Sequence, residues 1–190
     1  ERTYNVMVSK GMKAKNGTVL QEGDSANVTL PPAPPSATFA SDGHYLTTDL
    51  SIGLPVNVMN VSEVNVSFFR VHNDNEALRQ MLLWKSSDPL EHIYRLEDIK
   101  EFSDFVYDGR IALTSDRNRL RTVNLPLASI DALKEKAVYL AVMTVPGQFN
   151  SKLSTTWFTV SDIGLHIREY PKNIGIFTRD LNSGASKANV

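Results

Sequence analysis

Four histidines, His44, His72, His92 and His166, are the side chains best suited to ligate a metal or move a proton near neutral pH. They fall in separate segments, with none of the His-x-x-x-His or His-Glu-x-x-His spacings that put two ligands on one helix face. The expectation is surface or edge histidines and no metal. No serine occupies a Gly-x-Ser-x-Gly elbow, no Ser-x-x-Lys context resembles a penicillin-binding nucleophile, and Ser151-Lys152 are adjacent rather than spaced. The glycines follow neither the dinucleotide nor the P-loop pattern and read as turns. The absence of cysteine removes a thiolate nucleophile, a thiolate metal site and any disulfide framework. No catalytic residue, cofactor or metal site is nominated, and the chain is not expected to be an enzyme.

Carboxylates gather at Glu91, Glu97, Asp98, Glu101, Asp104 and Asp108, interleaved with Arg95 and Lys100. Acid-base work needs two carboxyls fixed in a cleft with their pKa values driven apart, whereas mixed signs at this spacing predict a solvated face of weak ion pairs. Arg117-Asn118-Arg119-Leu120-Arg121 reads the same way. Four sequons start at Asn16, Asn27, Asn60 and Asn65, and two lie inside predicted strands, where they reflect alternation of polar and apolar residues. Trp84, Trp157, Phe158 and Phe68-Phe69 could form a binding platform, but aromatics in strands are ordinarily core.

The elements that would position these residues are mostly strands. The chain has 190 residues, 42% hydrophobic, with a formal net charge of −1, so it is long enough to bury a core and has no general attraction for nucleic acid. No apolar run is long enough to span a bilayer. The opening Glu1 to Val6 is not a signal peptide, and a segment from inside a longer polypeptide is expected. Arg2 to Val8 and Ser25 to Leu30 alternate like strands around turns at Gly11 and Asn16-Gly17, and Pro31 to Pro35 reads as a semi-rigid spacer. Ala37 to Ala40, Leu54 to Val61 and Glu63 to Val71 are further strands, the last two separated by a phase slip at Asn60 to Glu63. Asn73-Asp74-Asn75 offers N-caps for a helix over Glu76 to Lys85. A second helical stretch is expected from Asp88-Pro89 through Ile93, Leu96, Ile99 and Phe102 to a turn at Tyr107-Asp108-Gly109. Strands return at Arg110 to Leu113, Leu120 to Leu125, Ala137 to Val145 and Thr155 to Val160, with a single turn at Leu133 to Lys136 capped by Pro126 to Ser129. Short strands at this spacing predict a two-sheet sandwich with a helical insertion. Two more strands follow, Leu165 to Tyr170 and Ile174 to Asp180.

Several stretches carry a family resemblance. Gly53-Leu54-Pro55-Val56, Asn60-Val61 and Val64-Asn65-Val66-Ser67-Phe68-Phe69-Arg70-Val71 resemble the "G-L-P-V … N-V … V-D-V-x-F-F-R-V" segment of the N-terminal macroglobulin-like domains of bacterial alpha-2-macroglobulins. Phe39-Ala40-Ser41-Asp42-Gly43 is similar to that family's "F-A-S-R-G", with Asp42 where an arginine is common. Asp104 to Arg110, Leu125-Pro126-Leu127 and Val138 to Met143 are similar to its "D-L-V-Y-x-G-R", "L-P-L" and "G-V-Y-L-A-V-M". Phe158 to Leu165 is close to its "F-T-x-S-D-I-G-L" junction between domains.

The resemblance implies an all-β fold, an immunoglobulin-like or macroglobulin-like sandwich with a short helical insertion flanked by partial β domains. Residues 1–33 would be the last strands of a preceding macroglobulin-like domain, 34–161 a complete one, and 162–190 the first strands of the next. It implies a non-catalytic scaffold and interaction segment of a periplasmic, broad-range endopeptidase inhibitor whose parent is lipid-anchored to the inner membrane and defends the bacterium by trapping attacking proteases. Partners would be target proteases, through the full-length protein, and a peptidoglycan synthase. The family's Cys-x-Glu-Gln thioester is not in this cysteine-free segment, although Phe68 to Val71 looks like the thioester-bearing subclass. A second reading from another class is a cell-envelope adhesin or cell-wall-binding β-sandwich.

Overall fold

Residues that alternate between apolar and polar must lie on a surface with two faces, and among the described residues the chain meets that demand with twelve strands. The computed structural model describes residues 2–40, 43–85, 97–148 and 153–188. The chain divides into two compact units, Glu1–Pro34 and Pro35–Val190.

In the first unit, β1 (Arg2–Val8) and β2 (Asp24–Leu30) form an antiparallel hairpin running from Arg2 opposite Leu30 to Val8 opposite Asp24. Tyr4, Val6, Ala26 and Val28 share one face. The other face is polar: the Thr3 and Thr29 hydroxyls meet at 2.9 Å, and Asn5 Nδ2 donates to Asn27 Oδ1 at 2.9 Å. Between the strands the chain doubles back at Asn16-Gly17, where Gly17 takes φ 85°, and Gly11 N–H donates to the Leu20 carbonyl at 2.9 Å.

The second unit runs β3 (Ser36–Phe39), β4 (His44–Leu46), β5 (Leu54–Met59), β6 (Glu63–Val71), α1 (Asn75–Lys85), α2 (Ile99–Phe102), β7 (Ser103–Ala112), β8 (Arg121–Leu125), β9 (Ala137–Thr144), β10 (Ser154–Val160), β11 (Ile163–Tyr170) and β12 (Asn173–Asp180). One sheet has the order β4-β10-β9-β6-β7, another β3-β5-β8, and β11-β12 is a separate hairpin. The two larger sheets face each other across one core. Val56 and Val58 of β5 and Leu125 of β8 meet Val64, Val66 and Phe68 of β6, Tyr139, Ala141 and Met143 of β9, and Phe158 and Val160 of β10. Each large apolar side chain buried this way contributes about 1.5–3 kcal/mol.

The opposite face of the five-stranded sheet is also covered at one end. Val71, Leu140, Val142 and Trp157 pack there with Ala77 of α1 and with Ile99 and Phe102 of α2. This second cover explains why Val138 to Met143 reads as an unbroken apolar run: β9 is buried on both faces. The helix forms because Asp74 caps it, its Oδ1 accepting from Ala77 N–H at 2.7 Å. On its exposed side Glu76 is held below the usual carboxylate range by hydrogen bonds from Arg79 and Gln80. The end of α2 is fixed by the buried Ser103, whose hydroxyl donates to the Ile99 carbonyl at 2.6 Å.

Two expectations need correction, and one strand is new. Tyr107-Asp108-Gly109 is not a turn but the middle of β7, which pairs with β6 from Ser103 to Ala112 and absorbs Val106 as a bulge between Phe68 and Phe69. A Cβ on Gly109 would collide with the Tyr107 ring; the bare glycine lets the tyrosine lie along its own edge strand. The turn expected at Leu133 to Lys136 sits at Asp131–Leu133, and no side chain caps it. The Tyr139 hydroxyl reaches its Ala132 carbonyl at 3.3 Å and, just past the turn, donates to the Glu135 carbonyl at 2.8 Å. Lastly, β4 was not anticipated; its three residues pair in parallel with Phe158 to Val160. Of the second helical stretch, 88–96 lie outside the described residues, and Ile99 to Phe102 is helical as expected.

Candidate functional site

The residues with chemical potential are spread over the second unit, and most are engaged in structural pairs. His72 Nε2 lies 3.1 Å from Asp104 Oδ1 on the surface. His44 opens the edge strand β4, His166 lies in β11, and His92 is outside the described residues. Among the described residues, no three His, Asp or Glu side chains gather as a metal site would require. Of the clustered carboxylates, Glu97 pairs with Lys100 at 2.7 Å and Asp108 accepts from Ser67 Oγ at 2.6 Å; Glu91 and Arg95 are outside the described residues. Arg121 pairs with Asp116 at 3.1 Å. Of the aromatic candidates, Phe68, Trp157 and Phe158 are buried, Phe69 is partly buried, and the Trp84 side chain lies outside the described residues; Phe158 stacks on Tyr139 with centroids 5.2 Å apart.

One structural contact was invisible as spacing. Asn60 and Asn118, 58 positions apart, both take positive φ, 54° and 55°. Asn60 Nδ2 donates to Asn118 Oδ1 at 3.0 Å and Asn60 Oδ1 accepts from Asn118 N–H at 2.6 Å, locking two tight turns together. A lone Asn at a phase slip was the available signal. A surface cleft of about 540 Å³ is flanked by Arg70, which is paired with Glu135, by the His72–Asp104 pair and by Lys136. Among the described residues its charged side chains are paired, Arg70 with Glu135 and Lys136 with Asp162.

At the edge of that cleft the Ser161-Asp162 junction is fastened. Ser161 N–H donates to the Leu46 carbonyl at 3.0 Å, and Leu181 N–H donates to the Asp162 carbonyl at 2.8 Å. The Asp162 carboxylate meets Lys136 Nζ at 2.9 Å on one oxygen and Lys187 Nζ at 2.9 Å on the other. Lys136 first and Lys187 second hold its pKa at about 2, below the ordinary 3.8. The folded value is depressed, so the stabilisation is complete above about pH 4 and is lost as pH falls toward 2. Urea midpoints measured at pH 6 and pH 2.5 should therefore converge between the wild type and Asp162→Asn at the lower pH, with the wild type ahead at pH 6. An equal gap at both values would contradict this assignment.

Residues 38–158 match the family model of the bacterial alpha-2-macroglobulin MG2 domain, and the whole chain is 34% identical over 191 residues to alpha-2-macroglobulin of Escherichia coli (strain K12). The chain belongs to the bacterial alpha-2-macroglobulin family. It spans 11% of the length of that relative. The crystal structure of native Escherichia coli alpha-2-macroglobulin spanning domains MG0, NIE and MG1 superposes with a TM-score of 0.68 at 34% identity, over 98% of this chain and 58% of that one. The crystal structure of trypsin-activated alpha-2-macroglobulin from Escherichia coli gives 0.66 at 36% identity, over 80% of this chain and 10% of that one. The all-β sandwich expected from the alternation is observed, and it is macroglobulin-like, as the resemblance implies.

Proposed function

We propose that this chain is a non-catalytic scaffold and contact segment of a periplasmic, lipid-anchored alpha-2-macroglobulin that traps attacking proteases. Identity to the Escherichia coli protein along the whole chain carries the reading, and activation of that relative by trypsin supports a protease as the partner class. A scaffold role is supported by the engagement, among the described residues, of His72, Asp104, Glu97 and Asp108 in pairs and of Phe68, Trp157 and Phe158 in packing. Similar superposition on the native and trypsin-activated relatives is what a segment that keeps its fold would give. The division into 1–33, 34–161 and 162–190 belongs to the same proposal. It is supported by the family match at 38–158 and by the close of the first compact unit at Pro34. A peptidoglycan synthase is the second partner proposed for the parent.

The test uses the full-length parent. Incubated with trypsin, it is expected to yield an adduct that survives denaturing electrophoresis, while the 190-residue chain alone leaves tryptic activity unchanged and forms no adduct. Absence of an adduct from the full-length protein, or inhibition by the segment alone, would overturn the proposal.

A further inference from the structure

The β11–β12 hairpin has two faces of opposite character. Its register sets Leu165 opposite Thr178, Ile167 opposite Ile176 and Glu169 opposite Ile174. Leu165, Ile167, Ile174 and Ile176 are thus on one face, and each is more than 60% exposed. The other face pairs Gly164 with Arg179, His166 with Phe177 and Arg168 with Gly175. Both acidic residues of the hairpin strands, Glu169 and Asp180, alternate onto the apolar side. The second face is left with two arginines, a histidine and aromatic rings.

Those groups are organised with respect to one another. Arg168 Nε donates to His166 Nε2 at 2.9 Å, and the same guanidinium lies 6.0 Å from the Phe177 ring centroid. His166 and Phe177 rest 6.3 Å apart. Together with Arg179 they line a surface hollow of about 430 Å³. Each arginine faces a glycine across the ladder, so no cross-strand carboxylate can neutralise it, and among the described residues neither arginine has an ion-pair partner. Burying such a face in an apolar core would strand two cations at a cost of several kcal/mol each. Of the two faces the apolar one is suited to packing and the cationic one to water. Arg168 is held on its ring and its histidine with both terminal nitrogens unspent, the geometry for bidentate capture of a carboxylate.

We propose that the His166, Arg168, Phe177 and Arg179 face is a docking surface for an acidic polypeptide segment. An extended peptide with carboxylates recurring along it matches a flat two-stranded face whose cations lie on both strands, and Phe177 supplies apolar contact between them.

The probe is a fluorescein-labelled hexaglutamate peptide, followed by anisotropy against the 190-residue chain, with hexalysine as control and binding read at low and physiological ionic strength. Hexaglutamate should bind, weakening with salt, and Arg168→Ala/Arg179→Ala should lose about tenfold or more. Both arginines are exposed, so the far-UV spectrum should be unchanged; if the double variant misfolds, single Arg179→Gln reads the same effect. Arg168→Lys keeps charge without the fork and should fall between. No binding, or binding indifferent to these substitutions, overturns the proposal. So does Arg-dependent binding of phosphatidylglycerol vesicles or inorganic phosphate without binding of hexaglutamate.

Discussion

Phe68→Ala should destabilise the second unit by about 3–5 kcal/mol, enough to bring a domain of ordinary stability near its unfolding threshold. Phe68 is fully buried on the inner face of β6, between β9 and β7. Its ring meets Phe158 edge-on at 5.9 Å and Tyr107 at 6.0 Å, so truncation opens a cavity bounded by two other rings and by the opposite sheet. Neither ring can collapse into the space without leaving its own contacts, since Phe158 is stacked on Tyr139. Urea denaturation followed by tryptophan fluorescence should show a lower midpoint with little change in slope. Phe69→Ala, one residue on and only partly buried on the helix-covered face, should cost clearly less. Equal losses would mean that the two-sheet core does not dominate stability.

Gly53→Ala is the second large effect, about 2–5 kcal/mol. Gly53 takes φ 69°, and a Cβ there would be driven into the Leu125 carbonyl oxygen, with the carbonyl carbon at 3.2 Å. The obstacle is backbone, held by pairing of Leu54 with Leu125, so it has little freedom to retreat. Gly147 provides the control: its φ is 74° but nothing lies within 4 Å of the would-be Cβ. Gly147→Ala should show only the conformational penalty, about 1–2 kcal/mol. The excess at Gly53 measures the steric part, and finding no excess would refute it. It also gives a physical reason for the glycine that opens Gly53-Leu54-Pro55-Val56.

Strands were legible in the sequence by different signals: β6 because burial on one face imposes alternation, β9 and β10 as apolar runs buried on both faces, and β1, β2, β11 and β12 by alternation alone, since none of their residues is buried. Strand β4 was not, because three residues with only Leu46 buried carry no period, and its partner lies over a hundred positions away. Tyr107-Asp108-Gly109 misled because Asp-Gly is turn chemistry; at this edge strand the glycine serves the tyrosine ring instead. Chemistry was legible mainly as absence of pattern. The contacts that matter, Asp162 with Lys136 and Lys187 and Asn60 with Asn118, join residues whose proximity is made by sheet register and appears in no local motif. The cationic face of β11–β12 lay in between: His166-x-Arg168 and Phe177-x-Arg179 each obey a two-residue period, but only the register sets them side by side.

The parallel seam between β4 and β10 gives the sandwich a mechanical character. Tension applied at the start of β4 and at the end of β10 drags the two strands past one another lengthwise, so the three pairs from His44–Phe158 to Leu46–Val160 share the load and must fail together. The β11–β12 hairpin is loaded differently: its free ends, Ile163 and Asp180, are neighbours, and tension between them opens one pair at a time like a zip. Under stretch, the hairpin is the compliant element and the seam the stiff one.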